Sequence, residues 1–122
     1  MTQLPQQTHT PEDVAAWIAG YASDVKALEL VELDLRGVLG YTDYFLVCSG
    51  NTDRQTKAIH DRIHENMKKQ HGLLPRRVEG LTESRWILMD YLDVIVHIFT
   101  PDARDYYRLE QLWGEAPKRT IE

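Results

Sequence analysis

The chain has 122 residues, enough for one small domain that buries about two-thirds of its unfolded surface. Hydrophobic residues make up 43% and charged residues 27%, a mixture that argues against wholesale disorder. A net charge of −5 speaks against general nucleic-acid binding, and a single cysteine, Cys48, excludes an intramolecular disulfide framework and Cys-only zinc clusters.

Residues 1–9 are polar, with a proline and three glutamines, and read as a flexible tail. They lack both the basic and the apolar part of a secretory signal, and no apolar run approaches the roughly 20 residues that cross a bilayer, so a cytoplasmic protein without membrane contact is expected. Thr10-Pro11-Glu12-Asp13 starts a helix: Thr10 can cap it, Pro11 suits its first turn, and the acids sit at the positive end of its dipole. Val14, Trp17, Ile18, Tyr21, Val25 and Leu28 follow at helical spacing. Leu30 to Leu35 then alternates and predicts a strand with one wet side, whereas Tyr44 to Cys48 is a continuous apolar run that suits a strand buried on both faces.

Ser49-Gly50-Asn51 ends that strand. Thr52 and Gln55 fit a capping box for a second helix, with Ile59, Ile63 and Met67 as its apolar stripe. Gly72 and Pro75 close it. Three short strands are expected over 77–80, 86–90 and 94–99, the last two joined in a hairpin by Tyr91-Leu92-Asp93. Thr100-Pro101-Asp102 starts a short aromatic helix through Trp113, and residues 114–122 read as a C-terminal tail. The expected class is α/β (α+β): a single domain over 10–113 with a mixed sheet of about five strands and helices packed on it. Residues 54–77 hold seven basic and two acidic side chains. This basic strip on an acidic body reads better as a solvated helix face than as an RNA contact, so direct RNA contact is expected to be minor.

Several constellations invite chemistry. His60 and His64 stand four apart on the second helix, a spacing that can hold a metal, but a histidine pair in a charged stretch is usually solvated; no metal or cofactor is expected. Asp43, Asp90 and Asp93 could support a metal-dependent nucleotidyltransferase, although Asp90 and Asp93 lie three apart across a turn that favours Asp on its own account. Ser49-Gly50-Asn51 resembles an anion-binding turn but lacks the glycines and lysine of a phosphate loop. Cys48, in apolar company, reads as buried filler rather than a nucleophile. His97 faces away from Val96 and Ile98, either as a half-buried structural histidine or as part of a contact surface. Trp86 and Tyr91 with flanking acids have the composition of an interface anchor, and equally that of a core tryptophan followed by turn residues.

Thr42 to Asn51, with Arg54-Gln55 and Ala58-Ile59, resembles the first block of the ribosomal silencing factor (Iojap) family. Glu79-Gly80 with Trp86 to Phe99 is similar to its second block, and Arg104, Tyr106-Tyr107, Leu109-Glu110 and Leu112-Trp113 to its third. Leu92 departs from the pattern, standing where family members usually carry Gly. The resemblance implies a nucleotidyltransferase-like fold without the catalytic motif, hence no enzyme. It implies binding to the large ribosomal subunit through its fourteenth protein, a steric block to small-subunit joining, lower translation when nutrients are short, and a homodimer. It places Trp86, Asp90, Tyr91 and Asp93 in the contact, with Glu79 at its rim. A generic dimeric scaffold is the remaining alternative.

Overall fold

Two fully buried strands form the middle of the molecule, because their side chains are apolar on both faces. The computed structural model describes residues 9–38, 40 and 42–121. Apart from His9, the expected N-terminal tail lies outside the described residues.

Helix α1 (Pro11–Asp24) begins with the expected cap. Thr10 accepts from the Asp13 backbone at 3.1 Å, and the Asp13 carboxylate accepts from the Thr10 backbone at 3.0 Å. Strand β1 (Leu28–Asp34) pairs antiparallel with β2 (Tyr44–Ser49) across an irregularity between Leu28 and Val31. Helix α2 (Asp53–His71) is capped by Thr52, which accepts from Gln55 N at 3.1 Å. The reciprocal half of the expected box is not made. The Gln55 side chain donates instead to the Val25 carbonyl, which ties the start of α2 to the end of α1.

Strands β3 (Arg77–Glu79), β4 (Trp86–Asp90) and β5 (Val94–Phe99) follow, and β4 and β5 form the expected hairpin. The single C-terminal helix expected from spacing is two. Helix α3 (Pro101–Tyr107) stops at Arg108, whose φ of 49° breaks the run, and α4 (Leu109–Leu112) starts beyond it. Nothing in the residue pattern marks this break, since left-handed backbone usually falls to Gly or Asn.

The expected tail over 114–122 needs correction too. Lys118–Thr120 form strand β6, antiparallel to β1, so the sheet has six strands in the order β3-β4-β5-β2-β1-β6. The backbone of Asp34 donates to Pro117 O at 2.9 Å and that of Ile121 to Leu30 O at 2.8 Å. Among the described residues only β2 and β5 pair in parallel.

The two sheet faces carry two cores. On one, Leu46, Cys48, Ile87, Met89, Val96 and Ile98 pack with Ile18 of α1 and Ile59, Ile63 and Met67 of α2. On the other, Leu33, Phe45, Val47, Ile95 and Phe99 meet Ala103, Leu109 and Ala116, with Trp86, Leu88 and Trp113 partly buried against them. No helix among the described residues is long and apolar enough to cross a membrane.

Ending the chain after residue 114 removes β6 and the cover from Ala116. It is expected to cost about 2 kcal/mol, from several lost ladder hydrogen bonds and a newly open sheet edge. Urea denaturation reads this directly; a true tail would leave the midpoint unmoved.

Candidate contact face

Alternation along β4 sends Ile87 and Met89 under the helices α1 and α2, and Trp86, Leu88 and Asp90 to the opposite face. Glu79 of β3 lies across from Leu88, and His97 of β5 faces Leu88 from the other side. Gly80 lets the turn into β4 close. At φ 89° it occupies a conformation that L residues rarely adopt, and a Cβ there would stand 2.0 Å from the Trp86 carbonyl oxygen.

The Trp86 indole is half-buried. Its Nε1 donates to His97 Nδ1 at 3.1 Å, and its ring lies 5.0 Å from Phe99 and 4.6 Å from Tyr107. Tyr107 is 48% exposed and meets Tyr106, 78% exposed, edge to face at 5.0 Å. An aromatic row thus runs from the sheet interior to solvent. A cleft of about 320 Å³ beside it is lined by Gly80, Thr82, Glu83, Arg85, Trp86, Ala103 and Tyr107. Exposed carboxylates of Glu79, Glu83 and Asp102 stand along this side; Glu79 pairs with Arg77 at 3.2 Å and Asp102 with Arg85 at 3.0 Å. Tyr107 was not among the residues expected in the contact. The signal was its place in the short aromatic helix that starts at Pro101, but helical spacing alone does not show which strand that helix packs on.

The hairpin residues divide differently. Asp90 is only 3% exposed. Its Oδ1 accepts from Leu92 N at 2.8 Å and its Oδ2 from Arg76 Nη2 at 3.2 Å, with Arg77 at 3.8 Å. The carboxylate therefore holds the turn. Tyr91 packs into the core on the helix side, away from Trp86, and its buried hydroxyl has no partner among the described residues. Burial raises the Tyr91 pKa above the usual phenol value. Asp93 is exposed; desolvation, reinforced by nearby Asp43, raises its carboxyl pKa, while its carbonyl accepts from the Asp43 and Tyr44 backbones at 2.9 and 3.1 Å. Of the five residues expected in the contact, Trp86 and Glu79 share a face with the aromatic row, Asp93 sits exposed at the hairpin, and Asp90 and Tyr91 are turned to internal tasks.

Leu92 takes the conformation that its place in the turn demands. Its φ is 77°, and Asp93 N bonds back to Tyr91 O at 3.0 Å, the more strained kind of three-residue turn. A 49% exposed leucine keeps little burial there to offset the strain.

The catalytic alternative does not assemble. The Asp90 carboxylate is engaged, and among the described residues no group of three or more His, Cys, Asp or Glu stands close enough for a metal. A cleft of about 580 Å³ opens where β2 and β5 end, and none of Asp43, Asp90 and Asp93 lines it. Its deepest charge, Arg104, is held by Glu110 at 2.9 and 3.0 Å and by the Ser49 hydroxyl at 2.9 Å. Ser49-Gly50-Asn51 is a tight strand-to-helix turn: Gly50 N donates to Phe99 O at 2.9 Å, and a Cβ on Gly50 would lie 2.8 Å from Thr56 N. Burial pushes the Cys48 thiol up to about 12, which keeps it protonated. His60 is buried beside Asp61 at 2.8 Å, and burial holds its pKa below the usual imidazole value. Much of the basic strip is paired: Lys57 with Asp61, Lys69 with Glu65, Arg62 with Asp24, and Arg76 with Asp90.

A family model described as "Ribosomal silencing factor during starvation" matches residues 7–122. The ribosomal silencing factor RsfS of Bacillus subtilis (strain 168) is 42% identical over 99 residues, covering 81% of this chain and 83% of that protein. A crystal structure of a Chromobacterium violaceum protein superposes with a TM-score of 0.83 at 29% identity, covering 87% of this chain and 88% of that one. The mouse protein named "Mitochondrial assembly of ribosomal large subunit protein 1" is 32% identical over 78 residues, 60% of this chain and 33% of its own.

Two substitutions test the hairpin. Leu92→Gly relieves the strained φ and is expected to stabilise by about 0.5–1 kcal/mol, net of the entropy glycine adds to the unfolded chain. Asp90→Ala is expected to cost about 2 kcal/mol, whereas Asp93→Ala shifts stability by less than about 0.5 kcal/mol. Denaturant midpoints distinguish the two aspartates.

Proposed function

The chain belongs to the ribosomal silencing factor family, and from that premise we propose that it binds the large ribosomal subunit and obstructs joining by the small one. The contact is the subunit's fourteenth protein, the setting is the cytoplasm under nutrient limitation, and the action is steric. No bond is made or broken, so the protein acts as a repressor of translation and not as an enzyme. Silencing then follows occupancy of the site by mass action.

The observation that carries this reading is the half-exposed aromatic row Trp86–Tyr107–Tyr106 beside the carboxylates of Glu79, Glu83 and Asp102. Aromatic side chains supply large desolvated area at low conformational cost, and interface energy concentrates in such anchors. Exposed acids around them suit a cationic protein partner, which ribosomal proteins generally are, and would speed and orient docking. A net charge of −5 favours a protein contact over direct contact with RNA, and the internal pairing on α2 agrees with that. The name of the mouse relative also points to the large subunit. Asp93 and Leu92, exposed at the hairpin, are the residues available there for a secondary contact. A homodimer is part of this proposal, while the nucleotidyltransferase alternative has no observation in its favour.

Trp86→Ala is expected to weaken binding to purified large subunits by about 2 kcal/mol, roughly thirtyfold. Co-sedimentation measures it, with circular dichroism confirming a folded variant. Unchanged pelleting of the folded variant would remove Trp86 from the contact.

A further inference from the structure

Imidazole is an unusual choice for the position of His97. The residue sits in the middle of β5, hydrogen-bonded between β4 and β2, and is 3% exposed. Its face is otherwise apolar: Ile95 and Phe99 flank it along the strand, and the Phe45 ring meets it edge-on at 4.6 Å. Burial pushes its pKa down to about 3, so the ring is neutral. One ring nitrogen then carries a proton and the other accepts. Nδ1 accepts from the Trp86 indole, which leaves the proton on Nε2, and Nε2 has no partner among the described residues. A buried unpaired N–H is a cost that a phenyl ring in the same place would avoid. Packing therefore does not explain the histidine; its bond to Trp86 is what it adds.

We propose that His97 is a positioning residue for Trp86, its Nδ1 fixing the angle at which the indole is presented to the ribosomal partner. Tryptophan's second torsion is broad, so packing against Phe99 and Tyr107 alone leaves the ring free to turn. With its N–H tied into the sheet, the indole keeps its polar edge inward and offers its carbon rim outward. An anchor ordered in advance loses less freedom on docking. The inference rests on the contact face proposed above, but its first measurement requires no ribosome.

Two substitutions separate positioning from stability. His97→Phe keeps the ring volume, removes the acceptor and relieves the buried N–H. His97→Asn is smaller but returns an oxygen near the place of Nδ1. Proton–nitrogen NMR follows the Trp86 indole N–H, identified by its disappearance in Trp86→Phe. His97→Phe is expected to melt no lower than the parent, yet to shift the indole signal, raise its exchange with water at least tenfold, and weaken large-subunit binding five- to tenfold. His97→Asn is expected to melt lower while keeping a protected indole N–H and binding within about twofold of the parent. The proposal is overturned if the indole stays protected in His97→Phe, or if affinities follow the melting temperatures instead of the indole signal. Loss of indole protection in His97→Phe with unchanged binding by both it and Trp86→Ala would overturn the contact face instead.

Discussion

The register of the β4–β5 hairpin decides what this molecule can touch, and one buried carboxylate holds that register. Asp90 accepts the turn's Leu92 N–H at 2.8 Å and a guanidinium from Arg76 at 3.2 Å. With the tip fixed, Trp86 pairs opposite Phe99 and Leu88 opposite His97. A slip of one residue would send every side chain of β4 to the other face, placing Trp86 under the helices and Ile87 in its stead. Trp86 sits beside Tyr107 because Asp90, four residues away, is satisfied inside the fold.

Much of this was legible in the residues. The run Tyr44 to Cys48 reads as a strand buried on both sides, and it is central and parallel to β5. The first cap, the hairpin and the α2 stripe follow from spacing. The missed features share a physical cause: they depend on groups far apart in the chain. Strand β6 is Lys-Arg-Thr with all three residues exposed, so it carries no hydrophobic pattern and exists because β1 offers an unpaired edge. The burial of Asp90 depends on Arg76, fourteen residues earlier. Tyr107 joins Trp86 because α3 breaks at Arg108, a residue with no breaking propensity. One miss was avoidable. Trp86 and Tyr91 differ by an odd number of positions, and alternation along a strand already points them to opposite faces.

Leu92 carries a side chain at a φ of 77°, a backbone region that glycine enters without a Cβ penalty. The turn holds it there because Asp90 and the Tyr91–Val94 pairing over-determine the hairpin, which stores the strain. The same logic applies at Gly80, where the approach to the Trp86 carbonyl leaves no room for any side chain.

The proposed action, obstruction by a bound domain, asks of the fold only that it present one contact face on a packed body. Its sheet is filled on both faces, the buried Asp90 is committed to the hairpin, and its exposed aromatic row stands beside carboxylates on one side. The most direct test is sucrose-gradient sedimentation of purified large and small subunits mixed with increasing amounts of the protein. The account predicts that whole particles disappear in proportion to the protein bound on the large subunit, until joining is abolished at saturation. Undiminished particle formation with the large subunit fully occupied would contradict it.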